Sequence, residues 1–322
     1  MKFSEALQEG KTDLGKPDKV VTTLVSNIFL FGEKVLKVYK HEKYFFADLL
    51  NFEPRKAFYA EDFFWNNTAA PEIYLHLWGV QEREGAFALV PPSMGEDFVI
   101  EMSKIDDSKT LAKLLVNKKL TKEQAVSFIE TLVDTLATLT KERKDQLDDL
   151  FKKGLKGIMR EDIKSLHSWM ISQAPQVPKE DSDAVLELLM KTLEKEPYFT
   201  GVGSVLSAAI DNNCDNLILV NGKPSFIDIM PPMYIWRVVD EYATISRTIV
   251  DIEVLGGKEL GEVARAAYAK YQRDIPPAVR LVHELRAAGI QWPYRYMLKQ
   301  DDAAAKFGAY AKQKMQELKA LL

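Results

Sequence analysis

The first third of the chain contains short apolar runs separated by turn residues, a pattern typical of β-strands. Gly32-Glu33 is a turn signal within the second run, and PPSMGE joins the last two runs into a second expected hairpin. A helical pattern at about 53–66 lies between the two hairpins. The runs are VVTTLV (20–25), IFLFGEKVLKVYK (28–40), AFALV (86–90) and DFVIEM (97–102).

From Lys104 onward the spacing of apolar residues changes to that of long amphipathic helices, as in LTKEQAVSFIETLVDTLATLTKE (120–142). One β segment interrupts them, NLILVNGKPSFIDI (216–229), in which Asn221-Gly222 is a strong hairpin-turn signal. The tail from Glu259 is helical again, with interruptions expected near Pro276-Pro277 and Pro293. We therefore predict an α+β protein with a β-rich lobe over 1–103, a hinge near 102–106, and a mostly helical lobe with one β-hairpin over 104–322.

Composition narrows the class of protein. A chain of 322 residues that is 47% hydrophobic and 28% charged can form two packed lobes and is too charged for a membrane protein. The formal net charge of -4 gives no basic excess, so we expect neither a nucleic-acid nor a membrane partner. The single cysteine, Cys214, excludes an internal disulfide, and no apolar run reaches the length of a membrane span. We expect a cytoplasmic protein.

The segment IDNNCDNLILVNGKPSFID (210–228) carries the candidate chemistry. If Asn221 and Gly222 form the turn, Asn216 and Asp228 lie almost opposite each other, within reach of one cation. Asp211 then lies on the loop that leads into the hairpin. Phosphoryl transfer by kinases uses a carboxylate near the attacking hydroxyl, a carbonyl-type metal ligand and a second carboxylate. The alternative is an Asp- and Asn-rich loop before an ordinary surface hairpin.

The N-terminal lobe offers a lysine that suits the same chemistry. Lys37 lies inside the apolar strand VLKVY, and contact with nucleotide phosphates would explain its position. An edge-strand or solvent-facing lysine is the alternative. The following helix offers Glu61 and Asp62 as acidic partners, of which at least one belongs to a solvated face. Ser26-Asn27 is expected in the first turn of the preceding hairpin.

The order Lys37, Glu61/Asp62, Asp211-x-x-x-x-Asn216 and Asp228 resembles the aminoglycoside phosphotransferase and choline kinase family, which has the bilobal protein-kinase-like fold. The resemblance covers most of residues 20–275. Within the family, the chain is similar to a bacterial branch of phosphotransferase-like proteins whose substrate is poorly defined. It implies ATP between the lobes, with Lys37 on the phosphates and the acidic residue positioning Lys37.

The resemblance also implies roles for the other candidate residues. Ser26 and Asn27 would take the place of a glycine-rich nucleotide loop, and the backbone around Met102–Lys104 would meet the adenine. Asp211 would face the acceptor hydroxyl. Mg²⁺ would be bound by Asn216 and Asp228.

The chain departs from the family pattern in its catalytic loop. The family usually has histidines two residues before and after the aspartate and a glycine directly before it, where this chain has Ala209, Asn213 and Ile210. A histidine that usually ends the preceding long helix is replaced around Leu139-Thr140. These losses leave two interpretations open: an active kinase and a nucleotide-binding pseudokinase with a regulatory or interaction role.

The preferred hypothesis is an ATP- and magnesium-dependent phosphotransferase acting on a hydroxyl of a small molecule, such as a sugar, sugar acid, amino alcohol or aminoglycoside-like compound. A protein acceptor is disfavoured because IMPPMYIWRVVDEY, after Asp228, leaves no room for a long activation segment. The acceptor, the choice between ATP and GTP, the oligomeric state and the choice between Glu61 and Asp62 stay open.

Overall fold

The computed structural model describes residues 2–173, 175–201, 205–271 and 275–322. The helices are α1 (Phe3–Glu9), α2 (Phe52–Ala69), α3 (Leu111–Val116), α4 (Lys122–Arg143), α5 (Asp148–Lys152), α6 (Gly154–Gln173), α7 (Lys179–Lys195), α8 (Glu241–Gly256), α9 (Lys258–Ala269), α10 (Pro277–Met297) and α11 (Asp301–Leu321). The strands are β1 (Lys19–Thr22), β2 (Ser26–Phe31), β3 (Lys34–Tyr39), β4 (Tyr74–Arg83), β5 (Ala86–Val90), β6 (Asp97–Ser103), β7 (Leu206–Ala208), β8 (Leu217–Val220), β9 (Lys223–Phe226) and β10 (Val238–Asp240).

The chain divides into two compact units. The first comprises Met1–Asp107 and Ser225–Met233, and the second comprises Ser108–Pro224 and Tyr234–Leu322. The predicted α+β class, with a β-rich N-terminal part and a helical C-terminal part, is confirmed. The lobe boundaries at 1–103 and 104–322, as functional domains, stay predictions.

The first unit is built on an antiparallel sheet with the order β1-β2-β3-β6-β4-β5. The turn between β2 and β3 lies at Gly32, whose φ of 60° is in the left-handed region that glycine adopts at little cost. Ser26 and Asn27 are residues of β2, not of the preceding turn, because the chain turns earlier, at Thr23–Val25.

The expected second hairpin is wrong, because β5 and β6 both pair with β4 and not with each other. The pattern missed β4 because its burial does not alternate and its pairing with β6 is irregular between Tyr74 and His76. The segment after β5 passes close over β4, where a Cβ on Gly79 would lie 2.8 Å from the Cα of Gly95. A side chain at either glycine would obstruct this crossing.

The two faces of β3 have different surroundings. Leu36 and Val38 are buried in an apolar cluster with Phe3 and Leu7 of α1. On the other face, Tyr39 contacts Tyr59 of α2, with ring centroids 4.9 Å apart. The buried face of α2 is largely polar, and its buried residues are Arg55, Tyr59, Asp62, Trp65 and Asn66.

The second unit is a helical body in which α6, α7, α8, α10 and α11 share one apolar core. Two short antiparallel strands, β7 and β10, pair beside it. The predicted hairpin turn is confirmed, since β8 and β9 pair and Asn221 and Gly222 have φ values of 51° and 79°.

Pro293 does not interrupt the C-terminal helices, which corrects the expectation from sequence. It lies inside α10 and is buried, so the packing of α10 in the core outweighs the cost of the missing N–H group. Pro277, in contrast, is the first residue of α10, where a proline is favourable. Among the residues described, no helix combines the length and apolarity needed to cross a membrane.

Candidate functional site

Lys37 occupies a central position in the sheet of the first unit. It lies opposite Ile28 of β2 and Ile100 of β6, and the residue is only 3% exposed. An edge-strand or solvent-facing lysine is therefore excluded. A buried ammonium group needs compensating charge, because leaving water is costly for an ion.

Two carboxylates compensate the charge of Lys37. Its Nζ donates to Oδ2 of Asp62 at 3.1 Å and to Oδ1 of Asp228 at 2.7 Å. The ring of Tyr39 lies 4.9 Å from the same Nζ. We call Lys37, Asp62 and Asp228 the Lys37 cluster.

The charge balance of the Lys37 cluster keeps the lysine protonated. Burial alone lowers the pKa of Lys37, but Asp228 and Asp62 outweigh it and raise that pKa well above its ordinary value. Burial raises the pKa of Asp62, and the ammonium of Lys37 opposes this effect. One ammonium thus faces two carboxyl groups, which suits the Lys37 cluster to a further cation.

The two carboxylates of the Lys37 cluster differ in exposure. The side chain of Asp62 is 2% exposed and that of Asp228 is 62% exposed. Asp62 is therefore fixed in the interior, whereas Asp228 can reach a ligand from solvent. Glu61 is half-buried, and Asp62 is the member of the predicted acidic pair that contacts Lys37.

Two residues that the sequence analysis missed hold the Lys37 cluster in place. Nδ2 of Asn66 donates to Oδ1 of Asp62 at 2.9 Å, and Oδ1 of Asn66 accepts from the Ile229 N–H at 3.0 Å. The Asp228 N–H donates to the hydroxyl of Tyr74 at 2.8 Å. These bonds hold Asp228 at a φ of 54°, which is unfavourable for a residue with a side chain.

The signal for Asn66 was present in the sequence. Asn66 follows Asp62 by four residues, so a helix places both on the same face. The sequence offers no comparable signal for Tyr74, because its strand was not predicted.

The turn before Ser26 is held by side chains instead of glycines. The buried Ser26 hydroxyl lies 3.0 Å from the Thr23 hydroxyl, and Lys40 Nζ donates to the carbonyls of Thr23 at 2.6 Å and Leu24 at 3.0 Å. Asn27 is half-buried in β2, opposite Val38. The turn is therefore braced in one conformation.

The expected adenine contact lies at the end of β6. Met102 is paired within the sheet, opposite Val35 and Tyr74. The Lys104 N–H donates to the Glu33 carbonyl at 3.1 Å. The Ser103 N–H donates to the Ile73 carbonyl at 2.8 Å, so a base bound here would have to use backbone groups of 103–106 other than these two N–H groups.

In the second unit the structure brings Asp211 and Asn216 together on the loop between β7 and β8. Nδ2 of Asn216 donates to the Asp211 carbonyl at 2.9 Å, which identifies the other amide atom as the oxygen. Nη1 of Arg247, in α8, lies 2.7 Å from Oδ1 of Asp211. Asp211 therefore meets solvent as an ion-paired carboxylate.

The Asp211 loop, residues 209–216, is fixed by neighbouring helices. The N–H of Ala208, the last residue of β7 directly before the loop, donates to the Thr140 hydroxyl of α4 at 2.8 Å. The Cys214 N–H donates to the Asp251 carboxylate of α8 at 2.8 Å. Burial raises the pKa of Asp251 to about 6. The loop keeps a defined shape without the glycine and histidines that the resemblance led us to expect.

Asp240, a buried acid at the start of α8, lies close to the buried His283 of α10. Asp240 Oδ1 accepts from the Tyr242 N–H at 2.8 Å and lies 3.8 Å from Nε2 of His283. Burial raises the pKa of Asp240 to about 7. Burial, together with the nearby Arg286, lowers the pKa of His283 to about 3. Burial therefore favours the uncharged form of both groups.

Comparison by sequence identifies no relative: no protein-family model matches the chain, and no curated protein matches it. Solved structures do match along nearly its whole length. A thermostable mutant of aminoglycoside phosphotransferase APH(4)-Ia, in a ternary complex with AMP-PNP and hygromycin B, has a TM-score of 0.55 at 12% identity over 98% of both chains.

Two further solved structures also match the chain over nearly its whole length. The GDP complex of a mutant aminoglycoside 2'-phosphotransferase-IIIa has a TM-score of 0.53 at 10% identity, over 98% of this chain and 97% of that one. A choline/ethanolamine kinase family protein from Mesorhizobium loti has 16% identity over 100% and 95%, with a TM-score of 0.49. The first two matches confirm the predicted protein-kinase-like fold.

The first prediction concerns the acidic pair on α2. Asp62→Asn removes the buried one of the two carboxylates that balance the Lys37 ammonium, so we expect the free energy of unfolding of the first unit to fall by about 3–5 kcal/mol. Glu61→Gln, one residue away and half-buried, should change it by less than about 1 kcal/mol. Urea denaturation followed by tryptophan fluorescence measures both. Equal effects of the two variants would contradict the assignment.

The second prediction concerns pH. Between pH 3.8 and about 7, folded Asp240 holds a proton that the unfolded chain has lost, so its contribution to stability falls as pH rises. Between pH 3 and 6.5, the unfolded chain holds a proton that folded His283 lacks, so its contribution rises with pH. The two slopes oppose each other across the range they share.

Substituting either residue should therefore leave the pH dependence of stability that the other residue contributes. Relative to the unmodified protein, His283→Gln should lose about 1.4 kcal/mol of stability per pH unit between about pH 4.5 and 6.5, and Asp240→Asn should gain as much. Denaturation curves at three pH values within that interval measure this. Relative slopes of the same sign in both variants would show that these groups do not titrate in this way.

Proposed function

We propose that the protein is an ATP- and magnesium-dependent phosphotransferase of the aminoglycoside phosphotransferase and choline kinase type, which transfers the γ-phosphate to a hydroxyl of a small molecule. The acceptor classes that we propose are sugars, sugar acids, amino alcohols and aminoglycoside-like compounds. ATP as the phosphate donor fits the cytoplasmic location expected from the single cysteine.

The observation that carries this proposal is the Lys37 cluster. Apolar residues would stabilise the centre of a sheet at least as well as a buried ion pair does. The Lys37 ammonium is nevertheless buried there and bound to Asp62 on the interior side and to the exposed carboxylate of Asp228. In a fold shared with nucleotide-bound phosphotransferases, this arrangement supports a role of Lys37 in binding phosphate.

We assign the following roles in keeping with the resemblance, and the contact of Lys37 with Asp62 supports the first of them. Lys37 binds the nucleotide phosphates and Asp62 positions it. Asp211 orients the acceptor hydroxyl and accepts its proton. The turn at Thr23–Val25, together with Ser26 and Asn27 at the start of β2, covers the phosphates, and the backbone near Met102 and Lys104 binds the base.

The donor atoms proposed for magnesium suit that ion. Asp228 offers a carboxylate and Asn216 an amide oxygen, and Mg²⁺ prefers such hard oxygen ligands, completed by phosphate and water. The bound ion would neutralise charge on the phosphates. The Asn216 N–H₂ group already donates to the Asp211 carbonyl, which directs the amide oxygen away from that bond.

A nucleotide-binding pseudokinase is the second candidate. The ion pair between Asp211 and Arg247 favours it, because this contact occupies Oδ1 of the carboxylate that would accept the acceptor proton. Release of ADP that depends on an added acceptor distinguishes the two functions. The acceptor panel is sugars, sugar acids, amino alcohols and aminoglycosides.

The third prediction tests nucleotide binding. Lys37→Met keeps the apolar stem but removes the ammonium, so we expect the affinity for Mg·ATP to fall by about 10–100-fold, the value of a charge-assisted hydrogen bond. Lys34→Met is the matched control, because Lys34 lies on the same strand with a 39% exposed side chain paired to Glu101. Calorimetric titration measures both. Equal affinities of the two variants would remove Lys37 from the site.

The fourth prediction separates the two aspartates. Asp228→Asn removes a charged ligand and should weaken magnesium-dependent nucleotide binding. Asp211→Asn should leave that binding nearly intact and lower the transfer rate by about 10²–10⁴-fold, the contribution typical of a general acid–base group. Titration with Mg·ATP and acceptor-dependent ADP release measure the two effects. If neither substitution changes nucleotide binding or transfer, the segment is a surface hairpin and the assignment fails.

A further inference from the structure

The Asp211 loop, residues 209–216, carries two carboxylates and no cationic side chain. Each carboxylate is paired with an arginine from a helix of the same unit. Asp211 pairs with Arg247 of α8 at 2.7 Å, and Asp215 pairs with Arg295 of α10 at 2.8 Å. The positive charges next to the loop are thus those of Arg247 and Arg295, which belong to α8 and α10.

The two arginines have different surroundings. The Arg295 side chain is 2% exposed and also contacts Oε1 of Gln300 at 3.0 Å and Sγ of Cys214 at 2.9 Å, as expected of a structural residue. The Arg247 side chain is 14% exposed and lies beside a carboxylate that is 34% exposed. Arg247 is therefore the arginine that meets solvent together with the candidate catalytic group.

Contacts on both sides fix the position of Arg247. Nδ2 of Asn212 donates to the Thr244 carbonyl and to the Thr248 hydroxyl, both at 2.7 Å. One turn further along α8, Asp251 accepts from the Cys214 N–H at 2.8 Å. Residues 244, 247, 248 and 251 lie on one face of the helix, so α8 presents Arg247 to the loop in a fixed orientation.

The ion pair with Asp211 uses only part of the hydrogen-bond donors of the Arg247 guanidinium. A guanidinium carries five N–H donors in a planar fork, and the ion pair with Asp211 involves one nitrogen, Nη1. Nε of Arg247 is buried and has no hydrogen-bond partner among the residues described. A partly exposed guanidinium beside a catalytic carboxylate can bind a second anion, and its geometry suits a phosphate.

We propose that Arg247 is a catalytic residue that binds the phosphoryl group during its transfer while it holds Asp211 toward the acceptor. This inference rests on the proposed function. In the transfer, the acceptor oxygen forms a bond to the γ-phosphorus. The bond from that phosphorus to the bridging oxygen breaks, and its electron pair leaves on ADP.

The acceptor proton passes to the Asp211 carboxylate. Arg247 forms no covalent bond and donates hydrogen bonds to the non-bridging oxygens, where charge has to be stabilised in the transition state. The proposal also gives the ion pair a use, because the same guanidinium that pairs with Asp211 stabilises the phosphoryl group that Asp211 faces.

The fifth prediction compares binding of a ground-state ligand and a transition-state analogue. The probes are Mg·ADP alone and Mg·ADP with aluminium fluoride, which mimics the phosphoryl group in transit. Arg247→Gln should change the affinity for Mg·ADP by less than about 3-fold and lower the affinity for the aluminium fluoride complex by at least about 10-fold, because only the second ligand contains the group that Arg247 binds. For Arg247→Lys, we expect a loss of affinity for the aluminium fluoride complex that is smaller than the loss in Arg247→Gln, because a lysine keeps the charge but not the planar fork.

The control is Arg160→Gln, which removes a 41% exposed arginine that pairs with Glu194 in the same unit. It should leave both affinities unchanged. Calorimetric titration of each variant gives the ratio of the two affinities, a quantity that a purely structural role of Arg247 would not change.

The outcomes separate this inference from the proposed function. If the unmodified protein does not bind Mg·ADP, the proposed function fails and the inference fails with it. If it binds Mg·ADP but gains nothing from aluminium fluoride, or if Arg247→Gln retains the full gain, the inference alone is overturned. An equal loss of both affinities in Arg247→Gln also overturns it, because Arg247 would then act only by supporting the loop.

Discussion

The burial of one ammonium group, that of Lys37, governs the first unit. An unpaired ion at the centre of a sheet would be strongly destabilising, so the strand can exist only if α2 brings Asp62 to it and the chain returns with Asp228. Asn66 and Tyr74 then fix both carboxylates by bonds to side chain and backbone. The position of a helix and the backbone conformation of a distant segment thus both follow from one charge.

The second unit also contains buried titratable groups, but their burial is compensated differently. Its buried acid and histidine, Asp240 and His283, avoid the cost of burial largely by giving up charge. Other groups of this unit stay ionised in pairs. Each carboxylate of the Asp211 loop has an arginine from a helix beside it, and buried Glu284 is paired with Arg265.

The sequence was informative wherever periodicity or turn chemistry decides the structure. The apolar run around Lys37, the amphipathic pattern of α4 and the Asn221-Gly222 turn all became the predicted elements. Prediction failed where a strand lacks alternation or where packing outweighs local preference. The strand β4 has no alternation, and Pro293 is accommodated inside α10. Tyr74 and Arg247 make contacts that no pattern of hydrophobicity reveals, because their partners are distant in sequence.

The central claim is that the Lys37 cluster binds nucleotide phosphates, and hydrogen exchange of the full chain with and without Mg·AMP-PNP tests it most directly. The account predicts slower exchange at 23–26, the braced turn, and at 228–229, where Asp228 and Ile229 are held by Tyr74 and Asn66. It also predicts that the slowing disappears when magnesium is chelated. Binding that leaves both segments unchanged and protects other parts of the chain would contradict the account.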